Sequence, residues 1–290
     1  MLKLDFHSVE FTNSMDLWLS EDVGPGDYSS LGSIDADAIG NSQLILKEDG
    51  VIAGLDWAKV FLNRVDSNIK FEVLYNDGDF LPKGSILAHA EGNVRSLLKA
   101  ERLMLNVMQR LSGVATQTKQ LVEFVKDTGV TLLDTRKTTP GLRMLEKWAV
   151  SLGGAQNHRI GLYDMVMLKD NHVDSAGGIT AAVEKTRKFL SEQNLDLKIE
   201  VETRNLDEVN EALVNKVDRI MFDNFSIDLC KEAVKLVNKR AETEASGGIT
   251  RDSIREYALT GVQFISVGAL THSVSALDIS FKTKIKARNL

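Results

Sequence analysis

Positive charge is concentrated in residues 134–172 of a chain whose formal net charge is −6. This stretch holds six Lys or Arg residues and two His residues, and all but Lys147 lie in the segments DTRKTTPGLR, GGAQNHRIGLYD and MLKDNH. A solvated helix face would instead place opposite charges three or four residues apart on one element. The pattern therefore predicts a pocket for a small molecule with several negative charges.

Two acidic residues, Glu202 and Asp223, each end a short apolar run, KIEVE and RIMFD. A carboxylate buried without a cation is costly, so we expect both side chains to face positive charge. Paired carboxylates beside an anion pocket are typical of a hard divalent metal such as Mg²⁺, held partly through water.

Two glycine-containing segments, SGGIT from Ser246 and GALT from Gly268, each follow a predicted strand and precede a helical turn. Small residues at such positions let backbone N–H groups approach a phosphate. With the cationic segments and the carboxylate pair, this phosphate site indicates group transfer between two anionic substrates.

Strand and helix patterns alternate after residue 130, which predicts parallel strands joined by helices. Charged or glycine-rich positions follow every one of these strands. In an α/β barrel such strand ends meet at one mouth, whereas in a doubly wound sheet the polar residues would gather at one switch point. The pattern favours the barrel, with predicted strands at 131–134, 165–168, 198–201, 219–222, 243–245 and 264–267.

The first part of the chain predicts an α+β domain, with strands at 43–47, 70–74 and 86–91 and a helix at 55–65. From residue 94 the pattern is strongly helical. Ser112 and Gly113 are expected to interrupt this helix before a second one at about 115–126.

Composition narrows the class of protein. An acidic chain with pI near 5.5 lacks the basic face that nucleic acids and anionic membranes require, so neither is expected as a partner. The single cysteine, Cys230, excludes a disulfide framework and favours a reducing compartment. With no uninterrupted apolar run long enough to span a bilayer and no basic-then-apolar leader, we expect a cytoplasmic protein.

Ten motifs, in this order and spacing, resemble those of the type II phosphoribosyltransferases, specifically the quinolinate phosphoribosyltransferase family. They are EDVGPGD, ERLMLN, SGVAT, DTRKTTPGLR, NHRIGL, LKDNH, EVET, MFDN, EASGGI and ISVGALTHS. The resemblance runs end to end. It implies an α/β fold with an N-terminal α+β sandwich domain at 1–112 and an open six- or seven-stranded α/β barrel at 113–270. We expect residues 271–290 to pack back on the first domain.

The resemblance also implies a reaction: the 5-phosphoribosyl group passes from phosphoribosyl pyrophosphate to quinolinate, which loses CO₂ to give nicotinate mononucleotide. It implies Mg²⁺ as the cofactor and a homodimer, or a higher oligomer, with shared active sites. The implied catalytic residues are Lys137, Glu202 and Asp223, and the last two would also hold the metal. Quinolinate would be bound by Arg136, His158, Arg159 and Lys169 of one chain and by Arg102 of the partner subunit. Phosphoribosyl pyrophosphate would be bound by Lys137, Ser246, Gly247, Gly248, Gly268, Ala269 and His272.

Three alternatives remain open from the sequence. A paralogue of the same fold, associated with molybdate transport, would share the motifs but not the turnover. A Schiff-base enzyme of the aldolase type would use Lys169 as its nucleophile. A non-catalytic anion-binding protein would keep the cations but would not need Glu202 and Asp223.

Overall fold

The structure is a computed structural model that describes residues 2–286. Its contacts divide the chain into two compact units. The first contains Met1–Lys119, Met144–Gly153 and Val274–Leu290, and the second contains Gln120–Arg143 and Gly154–Ser273. In chain order the helices are α1 (Val9–Val23), α2 (Tyr28–Ser33), α3 (Leu55–Val65), α4 (Val94–Val125), α5 (Arg143–Leu152), α6 (Asp170–Ala176), α7 (Ile179–Glu192), α8 (Leu206–Val214), α9 (Ile227–Val237), α10 (Ile254–Ala258) and α11 (Ala269–His272). The strands are β1 (Ile39–Leu46), β2 (Gly50–Val51), β3 (Lys70–Val73), β4 (Phe80–Leu81), β5 (Ile86–Asn93), β6 (Thr131–Leu133), β7 (Val166–Leu168), β8 (Ile199–Thr203), β9 (Arg219–Asp223), β10 (Glu242–Ser246), β11 (Phe264–Ser266) and β12 (Ile279–Ile285).

A four-stranded antiparallel sheet in the order β12-β1-β5-β3 organises the first unit. Along β1, exposed and buried residues alternate, and Leu44 and Leu46 lie in the core, as expected for a sheet with one covered face. The strand β12 lies in the segment expected to pack on this domain, although no strand was predicted there. Residues 287–290 of that segment lie outside the described residues.

Helix α4 runs without interruption from Val94 to Val125, so the predicted break at Ser112 and Gly113 is wrong. A Cβ atom at Gly113 would lie 2.2 Å from the carbonyl oxygen of Ser275. The Ser112 hydroxyl accepts the N–H of Ala53 at 3.0 Å. Both residues are small because neighbouring backbone approaches the helix closely. The domain boundary expected after residue 112 therefore falls inside a continuous helix.

A distant side chain caps the N-terminus of α3. The N-cap residue, Gly54, offers no side-chain acceptor, and the Asp77 carboxylate accepts the N–H groups of Gly54, Leu55 and Asp56 at 2.6, 2.9 and 3.1 Å. Burial raises the pKa of Asp77 to about 6, against the opposing pull of these amides. The side chain is therefore ionised at pH 8, where its charge also suits the positive end of the helix.

Replacing this cap should destabilise the first unit. We expect Asp77→Ala to lower the free energy of unfolding by about 2–3 kcal/mol, because it leaves buried N–H groups unpaired, and Asp77→Asn, which keeps one acceptor oxygen, to lose less. Trp18, Trp57 and Trp148, the three tryptophans of the chain, all lie in the first unit. Their fluorescence during urea unfolding at pH 8 measures the effect. Equal unfolding midpoints for Asp77→Ala and the wild type would contradict it.

The second unit is built on six parallel strands in the order β6-β11-β10-β9-β8-β7. Strands β7 to β11 lie beside one another in chain order, and β6 closes on β11. In a doubly wound sheet the strand order would reverse at a switch point. The order here runs from β7 through to β11 and then returns to β6, as in a barrel. The two ends of this strand order are β6 and β7. Beside β6, Leu133 forms an isolated parallel bridge with Gln156, which lies outside the strands. The predicted six-stranded barrel is confirmed, and it is open.

Among the helices of residues 2–286, none is both long and apolar enough to cross a lipid bilayer.

Candidate active site

A cavity of about 760 Å³ lies at the carboxyl ends of the six barrel strands. Side chains point inward at alternate strand positions, so Met221 and Asp223 on β9 both line it, as do Glu244 and Ser246 on β10. The structure brings together here thirteen residues predicted from the sequence: Arg136, Lys137, His158, Arg159, Lys169, Glu202, Asp223, Ser246, Gly247, Gly248, Gly268, Ala269 and His272.

Arg102 is the predicted site residue that does not line this cavity. It lies on α4 in the first unit, on the exposed side of the helix, while Met104, Leu105 and Met108 are buried. Its neighbour Glu101 has a pKa raised by burial, and the charge of Arg102 opposes that shift. The family resemblance assigns this arginine to the site of a partner subunit.

The carboxylate pair lies on neighbouring strands. Glu202 on β8 and Asp223 on β9 are both partly buried. The Lys169 ammonium lies 2.5 Å from Glu202 Oε2, and Asn224 donates its side-chain N–H to Asp223 Oδ2 at 2.7 Å. Glu202 thus faces a cation, as expected, whereas the hydrogen-bond partner of Asp223 is a neutral amide.

Two guanidinium groups lie on the side of the cavity predicted to bind an anion. Burial and the nearby charge of Arg136 both lower the pKa of Arg159, which shows that two like charges share a partly dehydrated space. The Nε atom of Arg136 is buried and has no hydrogen-bond partner within residues 2–286. Such an arrangement is stabilised when a bound anion supplies the missing negative charge.

Asp134 anchors the segment that carries two of the cations. It is fully buried at the end of β6, and its carboxylate accepts the Asn157 side-chain N–H at 2.7 Å and the His158 backbone N–H at 2.9 Å. Arg159 also donates from Nη1 to the Met165 carbonyl at 3.2 Å. These bonds hold the loop after α5 against the strand ends.

The imidazole of His158 is buried, and both of its nitrogens are engaged. Nδ1 accepts the backbone N–H of Arg159 at 2.7 Å, and Nε2 lies 3.1 Å from Glu200 and 3.3 Å from Glu244. Burial alone would lower the pKa of His158, but the two glutamates outweigh burial and raise it to about 9. Nδ1 can accept the Arg159 N–H only in the neutral ring, in which Nε2 carries the hydrogen that faces the glutamates. A second proton, which the glutamates favour, would go to Nδ1 and break the bond to Arg159.

Backbone conformation defines the predicted phosphate side. Gly247 and Gly248 have φ values of 95° and 60°, which side chains disfavour. A Cβ atom at Gly247 would lie 2.3 Å from Asn224 Oδ1, and one at Gly268 would lie 3.1 Å from the Lys137 side chain. Thr271 donates to the Lys137 carbonyl at 2.8 Å. Gly247 is therefore favoured both by its φ value and by the close approach of Asn224, and Gly248 by its φ value alone.

Sequence reasoning missed Glu200, Glu244, Asp134 and Asn224. For the two glutamates a signal existed: each lies two residues before a predicted site residue, Glu202 or Ser246, and so shares its strand face. Asp134 and Asn224 both lie inside recognised motifs. The hydrogen-bond partners of Asp134 are more than 20 residues away in the sequence, and the contact of Asn224 depends on its positive φ of 55°.

A second concavity, of about 830 Å³, lies over the exposed face of the first unit's sheet. Lysines along it are partly balanced by acids: Lys286 lies 2.8 Å from Glu91, and Lys70 lies 3.7 Å from the same residue. No predicted site residue lines it, so the strand-end cavity is the candidate site.

Comparison with known proteins gives consistent matches along the chain. The model described as quinolinate phosphoribosyl transferase, N-terminal domain, matches residues 27–112, and the corresponding C-terminal domain model matches residues 114–282. Two models thus meet within α4.

Individual relatives agree. The chain is 46% identical over 284 residues to nicotinate-nucleotide pyrophosphorylase (carboxylating), chloroplastic, of Oryza sativa subsp. japonica, covering 92% of this chain and 76% of that protein. It is 45% identical over 268 residues to a probable nicotinate-nucleotide pyrophosphorylase (carboxylating) of Synechocystis, covering 91% and 90%. The solved nicotinate-nucleotide pyrophosphorylase of Francisella tularensis is 39% identical, with a TM-score of 0.90 and coverage of 97% and 98%.

Proposed function

Because the chain belongs to the quinolinate phosphoribosyltransferase family, we propose that it transfers the 5-phosphoribosyl group from phosphoribosyl pyrophosphate to quinolinate with decarboxylation. The products are nicotinate mononucleotide, pyrophosphate and CO₂, a step in making NAD. The observation that carries this conclusion is the convergence of a cationic cluster, a carboxylate pair and glycine loops in one cavity of about 760 Å³. Incubation with both substrates and Mg²⁺, followed by chromatography for nicotinate mononucleotide, tests it.

The anionic acceptor fits the guanidinium side of the cavity. We assign the two quinolinate carboxylates to Arg136, Arg159 and Lys169, with His158 bordering the same space. Support comes from the buried Nε of Arg136 and from the mutual effect of the two guanidiniums, which a dianion would relieve. Lys169 reaches the acceptor from its position beside Glu202.

The donor fits the opposite side. We assign its phosphates to Lys137 and to the backbone of the two glycine loops, which include Ser246, Gly247, Gly248, Gly268 and Ala269, with His272 at the edge. Positive φ values turn the loop after β10 sharply, and such turns expose successive N–H groups to an anion.

Glu202 and Asp223 are the residues that would hold Mg²⁺. They fit it because they offer hard carboxylate oxygens from adjacent strands on the cavity side, which is the ligand type this ion prefers. When bound, Mg²⁺ supplies positive charge that offsets the charge on departing pyrophosphate.

The chemistry needs mainly positioning. The bond from sugar C1 to pyrophosphate oxygen breaks, its electron pair leaves with pyrophosphate, and the pyridine nitrogen lone pair forms the new bond to C1. Glu202 and Asp223 stabilise the positive charge that develops on the sugar. The quaternary ring nitrogen then stabilises the electron pair left behind when the neighbouring carboxylate departs as CO₂, and a proton takes its place. Arg136 and Arg159 supply positive charge around this step in a partly dehydrated space.

We further propose a homodimer, or a higher oligomer, in which Arg102 of one chain completes the site of another. Its support is the exposure of Arg102 on α4 and the family resemblance. We also propose a cytoplasmic location, to which the buried, unbridged Cys230 is suited. The Schiff-base alternative is disfavoured because Lys169 is held as an ion pair by Glu202, whereas that chemistry needs a neutral amine.

Removing the metal or its ligands should stop turnover. Chelation by EDTA is expected to abolish transfer, and Glu202→Ala or Asp223→Ala should lower kcat by about 10²-fold or more. Asp228→Ala, which removes an exposed carboxylate from α9, serves as the control and should change kcat little. Near-normal kcat in both site variants would show that these carboxylates are structural.

A further inference from the structure

Charged side chains lie at the cavity floor and beneath it, where most α/β barrels are filled by apolar residues. Glu200 and Glu244 are fully buried, and Arg219 Nη1 lies 3.0 Å from Glu244. Arg219 also pairs with Glu242 at 2.9 Å and lies 4.2 Å from the centre of the Phe264 ring. Burying two carboxylates costs stability unless their partners are well placed.

His158 connects this cluster to the cavity. Its Nε2 faces both glutamates, at 3.1 Å from Glu200 and 3.3 Å from Glu244. Its Nδ1 accepts the N–H of Arg159 at 2.7 Å, and Arg159 is one of the two guanidiniums on the acceptor side. A continuous chain of polar contacts therefore runs from the buried glutamates, through one imidazole, to the backbone of a substrate-binding residue.

The same three residues also resemble a metal site, because His158, Glu200 and Glu244 bring ligand atoms within 4.8 Å of one another. The Arg219 guanidinium argues against that use. It already bonds the Glu244 oxygen that faces His158, so a cation placed there would meet positive charge and would have to displace the Nε2 hydrogen. The cluster is instead balanced by its own side chains.

We propose that Glu200 and Glu244 are positioning residues for acceptor binding: they fix the His158 ring and, through its Nδ1, the backbone that presents Arg159 to quinolinate. This inference rests on the proposed function, since quinolinate is the acceptor. Asp134 holds the same segment from the other side, at the His158 N–H. The backbone that carries Arg159 is thus held at two successive N–H groups, those of His158 and Arg159. A small misplacement of a substrate-binding group weakens binding strongly.

Isosteric substitutions test the proposal. Glu200→Gln and Glu244→Gln keep side-chain size but replace a carboxyl group that faces Nε2 with a neutral amide. Each should raise the quinolinate dissociation constant, measured by isothermal titration calorimetry, by about 10-fold, while the KM for phosphoribosyl pyrophosphate changes less than about twofold. A role in folding alone would instead lower the melting temperature and affect both substrates together.

Glu242→Gln is the matched control. Glu242 lies on the same strand as Glu244 and forms an ion pair with the same arginine. Its side chain accepts hydrogen bonds from Arg219 and Lys198 and not from His158. This variant should leave quinolinate affinity within about twofold of the wild type. If it weakens binding as much as Glu244→Gln does, the effect comes from Arg219, and the proposal is wrong.

A double-substitution cycle isolates the route through the imidazole. Because the glutamates act through His158, adding Glu244→Gln to His158→Ala should weaken quinolinate binding by less than about twofold further. A full additional 10-fold loss would overturn the proposal. Should Glu244→Gln fail to fold, Glu200→Gln provides the same cycle.

The wild type separates this inference from the proposed function. If the wild-type protein neither binds quinolinate nor converts it, the proposed function fails. If the wild type does both and the Glu200→Gln and Glu244→Gln variants match it, only the positioning role fails.

Discussion

Nicotinate, which carries one carboxylate instead of two, should be used as an acceptor at least about 10⁴-fold less well than quinolinate, measured as kcat/KM. A site built to bind a polar group rejects the analogue that lacks it, because its own buried polar groups are left unpaired. Here the stranded groups would be Arg136 and Arg159, whose guanidiniums are partly buried and already disfavour each other. A ligand with two carboxylates would supply negative charge to both.

Phthalate separates binding from reaction in this experiment. It has the two adjacent carboxylates but no ring nitrogen, so it should compete with quinolinate and form no product. Nicotinate should neither compete well nor react. Turnover of nicotinate within about tenfold of quinolinate would mean that the cationic cluster serves another anion, and the assignment of the acceptor would be wrong.

Arg102→Ala and Lys137→Ala should each lower kcat/KM by about 10²- to 10³-fold, although the two residues lie in different compact units. Removing one side of a desolvated charge pair costs about 2–5 kcal/mol, and loss of a charge that meets the developing pyrophosphate is of similar size. Arg102 lies on the exposed side of α4, so its substitution should leave the melting temperature almost unchanged.

Mixing these two inactive variants tests the shared site. In a mixed dimer, one site contains both substitutions and the other contains neither. Random exchange makes half of the dimers mixed, so about one quarter of all sites should regain wild-type structure, and activity should rise to about that fraction. As the control, Arg102→Ala chains are taken through the same exchange on their own, which should restore no activity. Confirmed mixed dimers without recovered activity would refute a site completed by the partner.

The barrel could be predicted because its signal is local. Strands such as β6 (Thr131–Leu133) and β7 (Val166–Leu168) are short runs rich in apolar residues, and charged or glycine-rich positions follow the barrel strands. Parallel strands place such ends together whatever the details of the loops. That rule accounts for cavity residues that lie at the end of a strand or directly follow one, such as Lys169, Glu202 and Asp223. His158 and Arg159, which lie in the loop between α5 and β7, were expected at the site from the family resemblance.

Features that depend on distant partners could not be predicted. From the sequence, Gly113 resembles a helix stop. In the structure it is the residue against which the backbone of Ser275, far along the chain, packs. Asp77 caps a helix that begins 22 residues earlier. The pairing of Glu200 with Glu244 through His158 unites three separate elements, and no spacing in the sequence reports it. In each case the cause is a tertiary contact that one residue's type does not reveal.

Release of the carboxylate tests the central claim most directly. Quinolinate labelled with ¹⁴C in the carboxylate next to the ring nitrogen is incubated with the protein, phosphoribosyl pyrophosphate and Mg²⁺, and labelled CO₂, pyrophosphate and nicotinate mononucleotide are counted together. We predict one labelled CO₂ for each pyrophosphate released and an unlabelled nucleotide product. Pyrophosphate release without labelled CO₂, or a nucleotide that keeps the label, would contradict the account.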